Sequence, residues 1–330
     1  MDAKTGCAAI AARWRIRLGL IALAMTMQPL SPAWPSAPGP GVEPVAPLSP
    51  AAIAAPLADD RPDRLRMAQD PFHRLTIAVS INGQGPFEFL IDTGADRTVI
   101  SRELAARLGL SKGANVIMHE STGVDDVETV VIDQLQIGSR TVDHIEAPTL
   151  AAADLGAAGM LGVDSLKNQS IIMDFKTMQM SSSSSRPDPI GGDTIVVHGR
   201  SRFGQLILVN AQVGDTPVYV VIDSGSQVTV GNPALWRLLG DANARRAADD
   251  TMQIFGVTGR PMSVQVSNVE RVSIEGLVIT NVPVGFAQLH TFDRFGLVDK
   301  PALLLGMDVL SQCRRVTVDL RRREATFTLN

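Results

Sequence analysis

Two aspartates lie 131 positions apart in nearly the same surroundings: Ile91-Asp92-Thr93-Gly94-Ala95-Asp96-Arg97-Thr98-Val99 and Ile222-Asp223-Ser224-Gly225-Ser226-Gln227-Val228-Thr229-Val230. Five of these nine positions are identical. The echo extends upstream, where Gly83 and Pro86 precede Asp92 at the distances by which Gly214 and Pro217 precede Asp223. If the two copies pack about a pseudo-twofold axis, the carboxylates meet, and like charges that close cannot both ionise easily. The pair then holds one proton: one member is a base for water while the other is an acid toward a carbonyl oxygen, which is general acid–base hydrolysis without a covalent intermediate. The hydroxyls of Thr93 and Ser224 are expected to hold the bends across the axis, and Gly94 and Gly225 to let the backbone approach both carboxylates.

The elements that must position these groups are strands. Phe87 to Ile91 and Val218 to Ile222 are apolar runs leading into tight Thr/Ser-Gly bends. Leu75 to Ile81 alternates in polarity, as do parts of Val127 to Ile137 and of Val264 to Ile274. Helices are few and short: one over Ser101 to Leu108, and one from Asn232 to Gly240 with an Asn cap, Pro at the first helical position and a terminal Gly. A second matched pair closes each half, Met160-Leu161-Gly162-Val163-Asp164-Ser165-Leu166 and Leu304-Leu305-Gly306-Met307-Asp308-Val309-Leu310. A further strand ending in aspartate follows each, at Asp174 and Asp319. Asp164, Asp174, Asp308 and Asp319 are expected to cap or turn the chain.

The apolar-Asp-Thr/Ser-Gly-Ala/Ser turn, followed by apolar-Leu-Gly-x-Asp, resembles the retropepsin-like aspartic proteases, in a bacterial exported form with both lobes on one chain. The resemblance spans about 71–330. It implies a mainly β protein with short helices, built as two closed β-barrel lobes related by a pseudo-twofold axis. In each lobe the Leu-Gly segment crosses behind the catalytic turn, and substrate lies under one or two flaps. It further implies Asp92 and Asp223 as catalytic residues, supported by Thr93, Gly94, Ala95, Ser224, Gly225 and Ser226. The two turns differ at Ala95 and Ser226, and the Ser226 hydroxyl is a candidate hydrogen-bond donor to the dyad. Candidate flap tips are His119 to Val124, with Thr122 and Gly123, and Phe255 to Arg260, with Gly256 and Gly259; plain hairpin turns are the alternative.

Composition narrows the partners. The chain has 330 residues, 45 % of them hydrophobic, with a net charge of −4 and only 4 % aromatic residues. Its scattered basic residues offer neither a phosphate-tracking groove nor a stacking platform, so nucleic acid is not expected. The five histidines show no metal-ligand spacing and no cofactor fingerprint is present, so neither metal nor cofactor is expected. Residues 1–33 read as a signal peptide, with basic Lys4, Arg13, Arg15 and Arg17 before an apolar run from Leu18 to Met27. That run is short for a membrane span, which needs roughly 20 residues, and an uncleaved anchor facing the periplasm is the alternative. Loss of this segment leaves Cys313 as the single cysteine, without an internal disulfide and read as a buried small hydrophobe.

Residues 34–70, rich in Pro and Ala, read as a disordered tether, 71–180 as the first lobe, 181–192 as a linker and 193–330 as the second lobe. The expected reading is a periplasmic, monomeric endopeptidase acting on polypeptides, its lobes paired within one chain. Against it stand a catalytically inactive peptide-binding module of the same fold, a structural cell-envelope protein, and lobes exchanged between two chains.

Overall fold

The computed structural model describes residues 63–70, 73–166, 169–183, 193–240 and 251–330. Residues 1–33, expected as a signal peptide, residues 34–62 of the expected tether and residues 184–192 of the expected linker lie outside these. Two six-stranded barrels form the body. In the first, Leu75–Ile81 pairs with Gln84–Ile91, which runs parallel to Gly159–Leu161; the ring continues through Val99–Ser101, Arg140–Leu150 and Thr129–Ile137 back to Leu75–Ile81. The second repeats this order: Gln205–Val213, Thr216–Ile222, Ala302–Leu305, Val230–Gly231, Leu277–Phe286 and Pro261–Ile274, which closes on the first. Alternation decides which side chains go inside. Leu75, Ile77, Val79 and Ile81 are at most 2 % exposed, each contributing about 1.5–3 kcal/mol on burial.

A six-stranded antiparallel sheet joins the barrels in the order Asp63–Gln69, Gln179–Ser183, Ser170–Asp174, Arg315–Asp319, Glu324–Thr328, Thr194–Arg202. Its two central strands come from opposite halves and pair with Ile172 opposite Thr317. Those residues hold corresponding places in the duplicated sequence, so the pseudo-twofold axis passes between them. Ile171, Met173, Val316, Val318 and Phe327 are at most 1 % exposed and belong to a core continuous with both barrels. The lobes are therefore fixed to each other by backbone hydrogen bonds and shared apolar burial.

This sheet corrects the tether and the linker. Asp63–Gln69, assigned to the tether by composition, is an edge strand, and Leu65 and Met67 supply its inward alternation. Gln179–Ser183 runs into the expected linker. Both foreseen helices form. Ser101 Oγ accepts from Leu104 N at 3.2 Å to cap Arg102–Arg107, and Asn232 Oδ1 accepts from Leu235 N at 2.9 Å to cap Pro233–Leu239. Trp236 packs on Phe286, ring centroids 4.7 Å apart. Cys313 is buried, and that burial pushes its thiol pKa up to about 12, which leaves it inert as a nucleophile at neutral pH.

Candidate active site

Each aspartate emerges at the end of a strand whose partner fixes it. Asp92 N donates to Leu161 O at 3.0 Å, and Asp223 N to Leu305 O at 3.1 Å, so the Leu-Gly segments do lie against the Asp turns. The turns meet on the pseudo-twofold axis. Thr93 N donates to Ser224 Oγ at 3.0 Å and Ser224 N to Thr93 Oγ1 at 3.2 Å, while the two hydroxyls donate onward to Ile222 O at 3.3 Å and Ile91 O at 2.9 Å. Both side chains are at most 1 % exposed. Four interlobe hydrogen bonds thus satisfy two buried hydroxyls and lock the turns together.

Gly94 and Gly225 are required by proximity. A Cβ on Gly94 would lie 2.5 Å from Asp223 Cγ, and one on Gly225 would strike the Asp92 carboxylate, with Oδ1 at 2.7 Å. Each glycine also aims its N–H at its own aspartate, Gly94 N to Asp92 Oδ1 at 2.7 Å and Gly225 N to Asp223 Oδ1 at 2.9 Å. Burial raises the pKa of Asp92 well above the ordinary carboxylate range, and the charge of Asp223 raises it further, against the Gly94 N–H. Burial also raises Asp223, opposed by its hydrogen bond with Asp92 and by the N–H groups of Gly225 and Ser226. The pair is hydrogen-bonded and favours holding a proton.

Ser226 differs from its expected use. Its backbone N donates to Asp223 Oδ1 at 3.1 Å, but its hydroxyl turns away and donates to Val228 O at 2.8 Å. Asp223 therefore receives from Ser226 only a backbone N–H, which Ala95 also carries.

A second pair of braces sits behind the turns. Asp164 Oδ1 accepts from Thr98 N at 2.9 Å and Thr98 Oγ1 at 2.7 Å; Asp308 accepts from Thr229 N at 3.0 Å and Thr229 Oγ1 at 2.8 Å. The threonine hydroxyls in turn accept from Gly162 N and Gly306 N, each at 3.2 Å. Gly162 and Gly306 press on the backbones of Arg97 and Val228, where a Cβ would lie 2.5 Å and 2.6 Å from the carbonyl oxygens. Asp164 and Asp308 are thus more than caps, because they clamp the far end of each Asp turn. Burial pushes Asp308 up to about 6. The signal was present in the sequence, since Thr98 and Thr229 are among the five identities of the repeat. The other two expected caps behave as such: Asp174 accepts from Thr177 N at 2.9 Å and pairs with Arg315 at 3.0 Å, and Asp319 accepts from Arg322 N at 2.8 Å.

Two hairpins cover the aspartates. Val116–Glu120 pairs with Gly123–Val127, and Thr251–Phe255 with the start of Pro261–Ile274. Their tips touch. Thr122 and Thr258 both donate to Glu120 Oε1, the latter at 3.1 Å, and Arg260 pairs with Asp125 at 2.6 Å. A Cβ on Gly256 would strike Glu120, one on Gly123 the Arg260 guanidinium, and one on Gly259 the Asp154 carboxylate. Beneath the tips lie two cavities, of about 280 Å³ and about 500 Å³, each reaching Asp92, Asp223, Ser121 and Val257. The aspartates stand at their junction.

Family comparison agrees with this geometry. Residues 77–168 match a family model described as gag-polyprotein putative aspartyl protease, and residues 209–309 match one described as aspartyl protease. The chain belongs to the retropepsin-like aspartic proteases, with two lobes in tandem, and is an aspartic-type endopeptidase. Each matched segment contains one of the two facing aspartates.

Proposed function

We propose that Asp92 and Asp223 form the catalytic dyad and hydrolyse peptide bonds of exported polypeptides. The observation that carries the reading is the mutual approach of two buried carboxylates, made possible by Gly94 and Gly225 and favouring a retained proton. With one proton on the pair, the ionised carboxylate takes a proton from water as its oxygen attacks the carbonyl carbon, and the protonated one donates to the carbonyl oxygen. Collapse of the resulting diol transfers a proton to the leaving nitrogen and restores the pair. The oxygens of Asp92 and Asp223 that accept from Gly94, Gly225 and Ser226 are held in place, so no reorientation is needed during the reaction. The two hairpins act as flaps that exclude water once a peptide lies across the junction.

A binding module has no use for this arrangement, because burying two acids against each other opposes stability at neutral pH. Both lobes contribute to the site within one chain, which supports a monomer. The basic and apolar residues 1–33 support export to the periplasm, with residues 34–62 as the tether to the folded part. If the export segment is retained, it anchors the protein to the membrane instead. Incubating the full chain with a mixed peptide library is the direct test: cleavage by the parent and none by Asp92→Asn or Asp223→Asn is expected. Equal cleavage by parent and variants would leave the peptide-binding reading in its place. N-terminal sequencing of envelope-fraction protein is expected to find residues 1–33 missing; a chain that still begins at Met1 argues for the anchor.

A further inference from the structure

The two cavities that meet at Asp92 and Asp223 are chemically unlike. The larger carries apolar side chains of the second lobe, among them Val230, Met252, Ile254, Leu289 and Leu304, with Arg74 and Asp154 of the first lobe also in its wall. The smaller carries His119, His290 and Arg294 beside the apolar Val116 and Met160. In it the two histidine rings stack with centroids 5.1 Å apart and an interplanar angle of 9°, and His119 Nδ1 lies 2.8 Å from His290 Nε2. The main chain holds this pair in place, since His290 N donates to Ser121 O at 2.8 Å, so the second lobe's short helix His290–Arg294 carries its histidine against the first hairpin.

Beyond the two aspartates, the smaller cavity carries Asp96, Arg97, Glu120 and Arg294. Arg294 pairs with Asp96 at 2.7 Å and lies 4.5 Å from the centroid of the Phe203 ring. The His119 pKa is lowered by burial first, then by the charges of Arg294 and His290, with Asp96 opposing. That shift favours the neutral imidazole, with Nδ1 engaged by His290 and Nε2 left for a ligand.

An extended peptide sends successive side chains to opposite faces. With the scissile bond at the junction of the cavities, the two residues flanking it enter different ones. We propose that the enzyme cuts between a large apolar residue, held in the larger cavity, and an uncharged hydrogen-bonding residue such as Ser, Thr, Asn or Gln, read in the smaller cavity by His119 as positioned by His290. This rests on Asp92 and Asp223 being the catalytic pair. His119 is a specificity residue and takes no part in the proton transfers at the dyad.

The experiment is cleavage-site mapping by mass spectrometry on a mixed peptide library, with the full chain as parent, His119→Phe and His119→Gln. His119 is exposed at the edge of a hairpin, and equal melting temperatures will show that both variants fold. The parent is expected to show an apolar preference on one side of the bond and a Ser/Thr/Asn/Gln preference on the other. His119→Phe is expected to lose the polar preference by about tenfold, the factor one hydrogen bond of ordinary net strength confers. The preference on the apolar side of the bond should stay as in the parent, and His119→Gln should keep much of the polar preference. Apolar preference on both sides in the parent, selection of Asp or Glu in the smaller cavity, or an unchanged profile in His119→Phe overturns the inference while leaving the protease reading intact. Absence of any cleavage by the parent removes the catalytic assignment and the inference with it.

Discussion

Eighteen residues before Asp92 stands Arg74, and eighteen before Asp223 stands Gln205. Both are buried at the mouth of their barrel's first strand, yet they do different things. Gln205 crosses to the other lobe and donates its side-chain N–H to Gly94 O. Arg74 stays in its own lobe, pairing with Asp70 at 2.7 Å and donating to Leu155 O at 2.6 Å. By contrast, the Thr93 and Ser224 contacts correspond bond for bond, and the Thr98–Asp164 and Thr229–Asp308 clamps use the same donors, with Thr98 Oγ1 adding a contact to Ser165 Oγ. Symmetry is kept where two carboxylates face each other, and it lapses one layer away. The two cavities follow the same rule.

The largest effect is expected where symmetry is strictest. Asp92→Asn and Asp223→Asn should each lower turnover by at least about 10³-fold, within the range for loss of positioned acid–base catalysis. The double variant should be scarcely worse, since the residues act as a unit. Additive losses would mean that the lobes work separately. The pH profile of the parent should be bell-shaped, with both limbs belonging to the pair and displaced upward from ordinary carboxylates because burial raises both members. The same shift sets the sign for stability. A carboxyl whose folded pKa is raised keeps its proton where the unfolded chain has released it, so stability falls as pH rises from about 4 through the raised pKa. Melting temperatures of the parent should decline over that interval, and those of the Asn variants should decline less. Asp308, raised to about 6, adds a decline of the same sign that persists in both variants.

Next come the clamps. Thr98→Val and Thr229→Val each remove a buried hydroxyl that links an aspartate to a glycine N–H, and each should cost roughly 1–3 kcal/mol of stability. Equal losses by denaturant titration would support the correspondence of the lobes. A loss confined to one of them would show that only one clamp contributes. Thr93→Val and Ser224→Ala should cost a similar amount and lower turnover as well, because the cross-axis bonds position both turns.

Much of this symmetric layer was legible in the sequence, because duplication marks it twice. The Asp turns, the Leu-Gly segments and the two hairpin tips each have a counterpart at a matching place, and their chemistry is carried by residue type. Thr98 and Thr229 were visible as identities, but their partners Asp164 and Asp308 lie 66 and 79 residues away and are found only once the barrels close. The interlobe sheet was less accessible, since Ser170–Asp174 meets Arg315–Asp319 through a pairing that no local pattern announces. Asp63–Gln69 was missed because its alternating Leu65 and Met67 follow a Pro/Ala-rich stretch, and composition outweighed periodicity. The contact of His119 with His290, 171 residues apart, depends on a hairpin docking across the lobes and leaves no sequence trace.

Asymmetric contacts should have smaller effects. Gln205→Leu frees Gly94 O, whose peptide neighbour Gly94 N supports Asp92 Oδ1. Turnover should fall by about tenfold, the weight of one hydrogen bond, with KM nearly unchanged. Gln205→Glu sharpens the point, since a protonated carboxyl can donate to Gly94 O and an ionised one cannot. Its activity should approach the parent's on the acid side of the profile and drop on the other. A uniform loss at all pH values would show that the Gln205 contact is packing alone.

The smallest effect is expected at the residue after the Asp-Thr/Ser-Gly bend, Ala95 in one turn and Ser226 in the other. Because Ser226 donates its hydroxyl to Val228 O and only its backbone N–H to Asp223, Ser226→Ala removes a partly buried local bond and leaves the dyad's donors in place. The variant should lose no more than about 1 kcal/mol of stability. Its turnover should stay within about twofold of the parent, since no group touching the carboxylates changes. Both limbs of its pH profile should superimpose on the parent's. A displaced limb would place the hydroxyl on Asp223 during turnover and make the second turn electrostatically distinct from the first, so that the dyad itself would share the asymmetry of the cavities around it.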